Sequence, residues 1–209
     1  MSQLSLPFWE ELYQKDNLYA FSPQPNPTVV KFEPYLSAGS KILEVGAGEG
    51  QNALYLARHG QYRVSAFDLS TNAIAKLKRK AQQQNVCVNC FPADLTTYEF
   101  VASYDMVLCF GTLHFVSKEN WKQFIIRAKD HTNTGGIHIM QIFTDKVPAS
   151  DDIAPYAIGL AKEGEIQELY SDWEILEFSS HVFEDEHPNV PKHLHASNKI
   201  VARKPTLIK

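Results

Sequence analysis

The chain has 209 residues, of which 44% are apolar and 21% charged, enough to bury the core of one domain. Its 20 Lys and Arg stand against 24 Asp and Glu for a net charge of −4, spread along the chain rather than gathered in blocks, which argues against a dedicated nucleic-acid binder. Ten Gly and 11 Pro with no internal period argue against collagen-like, solenoid and disordered architectures.

Residues 1–10 have neither the basic nor the apolar region of a leader, and no stretch reaches membrane-spanning length, so a cytoplasmic protein with no membrane partner is expected. Three Cys make no disulfide framework and fit a reducing compartment. An amphipathic helix over residues 8–15 precedes a Pro-rich stretch over 21–27. Strand-length apolar runs then alternate with helical periods. Strands are predicted over 41–45, 63–68, 86–91, 104–110 and 137–143. Helices are predicted over 51–59, closed by Gly60, over 71–84 behind a Ser70 N-cap, and over 118–131, followed by the loop 133–136. Repeated β-α-β units imply a parallel sheet with helices on both faces. A helix over 163–170 and strands over 173–182 and 196–203 follow. Those two strands, joined by a polar loop rich in His and Pro, should pair antiparallel.

The expected architecture is therefore one α/β domain, a Rossmann-like, doubly wound, mostly parallel sheet ending in an antiparallel hairpin. Residues 1–36 form an N-terminal helical cap, 37–145 a ligand-binding core and 146–209 a C-terminal substrate-side region. Cys87 and Cys90 form a C-x-x-C, but residues three apart on a strand face opposite sides. They read as small core hydrophobes, and no metal site is expected. The basic run 76–80 reads as a solvated helix face.

The chemistry-bearing stretch is Glu44-Val45-Gly46-Ala47-Gly48-Glu49-Gly50, where the first strand gives way to a helix. Glycines there permit a sharp turn and close ligand approach, beside the free N–H groups of a helix N-terminus. Asp68 ends the second strand, placed to accept ribose hydroxyls, and Asp94 follows the third, placed to accept an adenine amine. A dinucleotide turn has its third glycine one position later, and Glu44 and Glu49 would repel a pyrophosphate. A ligand with a cationic end suits them better.

At these positions the chain resembles the class I S-adenosylmethionine-dependent methyltransferases, through the E-x-G-x-G-x-G turn, Asp68 and Ala93-Asp94-Leu95. Within that class it is most similar to the tellurite-resistance (TehB-type) and small-molecule thiol methyltransferases. The cues are residues 51–57, 162–166 with Tyr170 and Trp173-Glu174, and Val201-Ala202-Arg203-Lys204. The resemblance implies a seven-stranded sheet with a reversed final hairpin and S-adenosyl-L-methionine as cofactor. It implies that Glu44, Gly46, Ala47 and Gly48 hold the methionine end, Asp68 and Leu69 the ribose, and Asp94 and Leu95 the adenine. Asn52 and Phe110 are further cofactor candidates.

On the substrate side, Trp9, Tyr13 and Tyr19 offer aromatic rings to a sulfonium, or Trp9 and Tyr13, four apart, simply bury their helix. His114, past the fourth strand, reads as base, substrate contact or structural residue. Its segment Cys109-Phe110-Gly111-Thr112 lacks the N/D-P-P-Y tetrapeptide of amino-group methylation. Asp145 lies on the same rim or is an ordinary loop residue. His187, His193 and His195 cluster in sequence; His193 and His195 share a strand face, which suits a metal, a substrate or catalytic contact, or an exposed polar hairpin. The TehB-type enzymes have a His-Arg pair and a second Arg in this region. Here Arg is absent from 184–202, and Lys192 is the nearby cation without a planar fork. The expected activity is methylation of a small molecule at S, Se or Te, by a monomer or homodimer with no nucleic-acid partner. A nicotinamide oxidoreductase and a non-catalytic cofactor-binding module are the alternatives.

Overall fold

The computed structural model describes residues 6–59, 61–187 and 190–206, with the side chains of His187 and Val190 excepted. Two short helices come first, α1 (Phe8–Tyr13) and α2 (Pro27–Phe32). Helix α1 stops short of residue 15, because Lys15 N–H turns back to Leu12 O in a tighter i to i−3 bond. Helix α2 lies where only a Pro-rich stretch was expected. Its signal is present: Asn26 caps it by accepting from Thr28 N, and Pro27 takes the first helical position, where a missing N–H costs nothing.

The core follows as β1 (Lys41–Val45), α3 (Gln51–His59), β2 (Arg63–Asp68), α4 (Thr71–Gln83), β3 (Asn89–Pro92), β4 (Tyr104–Phe110), α5 (Lys118–Asp130) and β5 (Thr132–Phe143). Gly60, expected to end α3, lies outside the described residues. Strand β3 begins three residues later than predicted. Asn85 adopts a left-handed φ of 53° and Val86 N bonds Ala81 O, so residues 85–88 serve the helix exit instead. Cys87 is exposed and Cys90 buried.

The last part comprises α6 (Glu165–Glu168), β6 (Glu174–His187) and β7 (Val190–Arg203). Helix α6 is a single turn. The residues after it continue as separate turns, Tyr170 N to Gln167 O and Trp173 N to Tyr170 O, which seat Tyr170 and Trp173 in the core. The predicted His- and Pro-rich loop is mostly paired strand. Ladder contacts run from Glu174↔Arg203 out to Asp185↔His193 and His187↔Val190. The register shifts between those last two pairs, beside Pro191, which has no N–H to give the ladder.

One seven-stranded sheet results, ordered β3-β2-β1-β4-β5-β7-β6, with β1 to β5 parallel and β7 antiparallel to both neighbours. An apolar cluster covers each face, one around Trp121, Phe124 and Tyr170, the other around Leu56, Leu77 and Met106. The central strands β1 and β4 are buried on both faces, as strands between two helical layers are. Their carboxyl ends share one rim, where such sheets bind ligands.

The basic run is not a solvated face. Residues 76 and 80, four apart on α4, lie on its buried side, and only Lys78 and Arg79 face out. Lys76 Nζ, 1% exposed, donates to Glu49 Oε1 (2.6 Å), Leu18 O (2.6 Å) and Leu12 O (3.1 Å). Lys80 Nζ lies 3.4 Å from Glu49 Oε2, and Ala20 N also donates to Glu49. This buried pair ties the N-terminal segment to the glycine turn.

Candidate active site

At the end of β1 the turn 46–50 holds Gly46, Gly48 and Gly50 at φ of 65°, 51° and 78°. A Cβ on Gly46 would stand 1.9 Å from Thr112 Oγ1, so the chain's own packing already demands glycine there. Glu44 is buried behind the turn. It accepts from Asn52 Nδ2 at 2.7 Å and from Ala53 N, in the first turn of α3, at 2.9 Å. Burial nevertheless pushes its carboxyl up to about 7, against the lowering effect of those bonds.

Asp68, at the end of β2, accepts from Gly48 N at 2.8 Å and Ser70 N at 2.9 Å. Burial raises its pKa and those backbone bonds oppose the rise. Asp94 Oδ1 accepts from both the N–H and the hydroxyl of Thr96 at 2.8 Å; its Oδ2 has no hydrogen-bond partner among the described residues. All three carboxylates open on one cavity of about 1050 Å³. Gly46, Ala47, Gly48, Asn52, Leu69, Leu95 and Phe110 line it too. Glu49, which the sequence reading set against a pyrophosphate, does not, being committed to Lys76 and Lys80.

The cavity continues under the cap. Trp9 stands with its ring centroid 5.0 Å from Phe115 and 5.8 Å from Tyr156. Tyr13 is buried with its hydroxyl against Gly48. Burial, then Asp68, raises that hydroxyl well above the usual tyrosine range, so it stays a donor. The two rings bury α1 against the domain and also line the cavity.

At the far end lie His114, Phe143, Phe183, Asp185 and His195. His114 is fully buried, and burial followed by the neighbouring His195 lowers it to about 3, so it is neutral. Its Nδ1 faces Phe143 N–H at 3.5 Å, which places the ring proton on Nε2. Nε2 has no hydrogen-bond partner among the described residues. His138, equally buried and also held at about 3, contrasts with it: Thr132 and Tyr170 occupy both its ring nitrogens at 2.7 Å.

His195 Nε2 lies 3.0 Å from His193 Nε2, and His193 Nδ1 lies 2.8 Å from Pro191 O. A carbonyl only accepts, so Nδ1 of His193 carries its proton and His195 donates between the rings. Asp152 and Asp185 stand 3.9 and 4.0 Å from those facing nitrogens. The side chain of His187 lies outside the described residues.

Three predicted substrate contacts are elsewhere. Tyr19 is exposed, covering Lys80 Nζ at 3.9 Å from its ring centroid. Asp145 pairs with Lys162, and Lys192 pairs with Glu184 on the hairpin surface at 2.8 Å. None of the three lines the cavity. Phe115, Phe143, Tyr156 and Phe183 do line it and were not anticipated. They are aromatic residues without a local motif, brought together only by the sheet and the segment after β5.

Among the described residues lining the cavity there are five carboxylates (Glu10, Glu44, Asp68, Asp94, Asp185) and no Lys or Arg. This donor set fits a ligand that carries an ammonium, a sulfonium, a ribose and an adenine but no phosphate. Sheet order and reversed hairpin are those of the class I S-adenosylmethionine-dependent methyltransferase fold. A family model, "Tellurite resistance protein TehB", matches residues 16–203, and the chain belongs to that family. It is 32% identical over 146 residues to the "Probable S-adenosyl-L-methionine-dependent methyltransferase TehB" of Haemophilus influenzae, covering 69% of this chain and 49% of that one. The chain thus spans about half the length of the curated relative it matches. The crystal structure of TehB from Haemophilus influenzae superposes with a TM-score of 0.76 at 28% identity, over 86% of this chain and 62% of that one. The magnesium protoporphyrin IX methyltransferase of Synechocystis, with bound S-adenosylhomocysteine, shares the fold at a TM-score of 0.65 and 16% identity, over 85% and 80% of the two chains.

Proposed function

We propose that the chain methylates a small molecule at sulfur, or at a heavier chalcogen in the same role, by direct in-line transfer from S-adenosylmethionine in the cytoplasm. The observation that carries this reading is the cavity that joins the Glu44, Asp68 and Asp94 cradle to the His114 and His195 wall, with no Lys or Arg among the described residues that line it. Glu44 and the turn 46–48 would hold the methionine end, Asp68 the ribose and Asp94 the adenine.

When bound, S-adenosylmethionine supplies an activated methyl carbon: the acceptor's sulfur pair forms the new bond as the carbon–sulfonium bond breaks, leaving a neutral thioether. The protein therefore needs no nucleophile of its own. It has to orient the two reactants, exclude water and take the acceptor's proton. The cap closes the cavity through Trp9 and Tyr13. The His195–His193 pair takes the proton of an S–H group, with Asp185 and Asp152 as counter-charges. A tellurite or selenite oxyanion would find no Lys or Arg on the wall, so an uncharged thiol fits better.

Titration calorimetry with S-adenosylhomocysteine tests the cofactor half. Binding is expected, and it should weaken when Asp68 is changed to Ala. Transfer of labelled methyl groups onto a panel of thiols, selenite, tellurite and amines tests the rest. Absence of binding, or transfer confined to amines, would overturn the reading.

A further inference from the structure

Resting on that proposed function, we infer that the acceptor is an uncharged, ring-bearing thiol that lies flat against a continuous aromatic wall, rather than an inorganic oxyanion or a peptide-like thiol. The wall runs from the cap to the hairpin. Tyr156 touches Trp9, Trp9 touches Phe115, and Phe115 lies 4.2 Å from the His114 ring centroid. His114 is parallel to Phe143 within 8° at 4.3 Å, and Phe143 stacks on His195 at 4.5 Å. Phe183 closes the row edge-on to Phe143 at 6.0 Å. All of these rings line the cavity that holds the cofactor cradle.

Three physical arguments converge on a ring. Pockets for one drug-sized ligand span roughly 300 to 1,000 Å³, and a cavity of about 1050 Å³, above that range, has room for an organic acceptor beside the cofactor. A small oxyanion would leave the aromatic end empty. With Glu44, Asp68 and Asp94 given to the cofactor, Asp185 is the charge on the acceptor side, and no Lys or Arg lies among the described residues of the lining; an anionic acceptor, glutathione-like thiol or tellurite, is therefore disfavoured. Parallel and edge-on rings are the arrangement in which another flat ring is accommodated at favourable offset or edge geometry. The wall also carries one buried polar atom without a hydrogen-bond partner among the described residues, His114 Nε2. Because that nitrogen bears the ring proton, it can donate to a heteroatom at the edge of the bound ring and fix its orientation. His138 shows what a purely structural histidine looks like in this fold, with both nitrogens satisfied.

The test uses the whole chain. The product methyl naphthalen-2-ylmethyl sulfide is titrated calorimetrically in the presence of S-adenosylhomocysteine, and labelled transfer is compared for naphthalen-2-ylmethanethiol, whose alkyl thiol is neutral at pH 7, glutathione and tellurite. The ring-bearing thiol should show kcat/KM at least roughly tenfold above the other two. Phe183→Ser should raise its KM and the product's Kd by roughly tenfold, while S-adenosylhomocysteine affinity changes by less than about twofold. If that variant loses its circular dichroism, Phe183→Leu keeps the apolar volume without the ring and should still raise both constants. Glutathione or tellurite turned over equally well, or constants unmoved in a folded variant, with S-adenosylhomocysteine binding intact, would overturn the aromatic acceptor alone. No binding of S-adenosylhomocysteine by the unaltered chain would instead remove the proposed function beneath it.

Discussion

The two ends of the cavity are built on opposite principles. At the proposed cofactor end, Glu44, Asp68 and Asp94 are held mostly by groups near them in the chain, Asn52 and Ala53, Ser70 and Thr96, with Gly48 N of the first turn reaching across to Asp68. At the acceptor end, His114 stacks on Phe143 and Phe143 on His195, residues from the segment after β4, from β5 and from β7. The first end is polar and mostly satisfied, the second aromatic with an unpartnered nitrogen. The cradle carboxylates are fixed largely by short-range turns and caps, whereas the aromatic wall is collected from three distant segments.

The largest effect is expected at the link between the ends. Lys76→Met leaves Glu49 buried with Lys80 at 3.4 Å as its remaining cation and the Ala20 N–H as a neutral donor, and should cost ~3–5 kcal/mol in urea unfolding, as breaking one partner of a buried pair does. Limited proteolysis should then cut first within residues 6–20. Uniform loss with no preferential cutting would show that the cap does not depend on this pair.

Next comes Glu44. Its folded-state carboxyl stands at about 7 rather than 4.5, so the folded state binds the extra proton between those values. Stability from this group is therefore complete below pH 4.5 and is lost as pH rises to 7. The difference between the unaltered chain and Glu44→Gln should fall by ~3 kcal/mol across that window. A cationic methionine end would pull the proton off. Calorimetry at pH 6 in buffers of different ionisation enthalpy should show proton release on S-adenosylhomocysteine binding, and Glu44→Gln should abolish it.

Gly46→Ala forces a side chain against Thr112 at a φ of 65°, and should destabilise by ~2–3 kcal/mol while abolishing S-adenosylhomocysteine binding. At the other end, His114→Phe keeps the stack and removes the nitrogen. His114 is lowered from 6.5 to about 3, so its penalty is absent above pH 6.5 and grows as pH falls toward 3. The variant should gain ~2 kcal/mol at pH 5 and little at pH 8, with lower methyl transfer at both. Unchanged transfer would reduce His114 to a structural ring. Lys192→Ala, on a surface ion pair, should cost less than ~0.5 kcal/mol and leave turnover unaltered. A fall in turnover would extend the acceptor end onto the outer face of the hairpin.

Strands β1, β2 and β4 were legible to the residue, because a strand buried on both faces is a continuous apolar run with sharp ends. The cradle was legible for a related reason: turn, cap and strand-end carboxylates are short-range features whose spacing is written in the chain. Helix α2 carried its signal in Asn26-Pro27, and the Pro-rich reading passed over it. The hairpin was only partly visible. Its polar sequence looks like a loop by composition, and it becomes strand because β6 and β7 pair with each other along nearly their whole length.

By itself, then, the sequence determined the sheet, the glycine turn and three carboxylates suited to a cationic nucleoside ligand, most of which depend on neighbours within about a turn or a strand. Only the tertiary structure decided that Lys76 and Lys80 are internal partners of Glu49 and that Tyr19, Asp145 and Lys192 stand away from the cavity. It likewise decided that Phe115, Phe143, Tyr156 and Phe183 join His114 and His195 in one wall. Those outcomes depend on which faces meet across the fold, and a helix or strand carries no local mark of the partner its side chain will find.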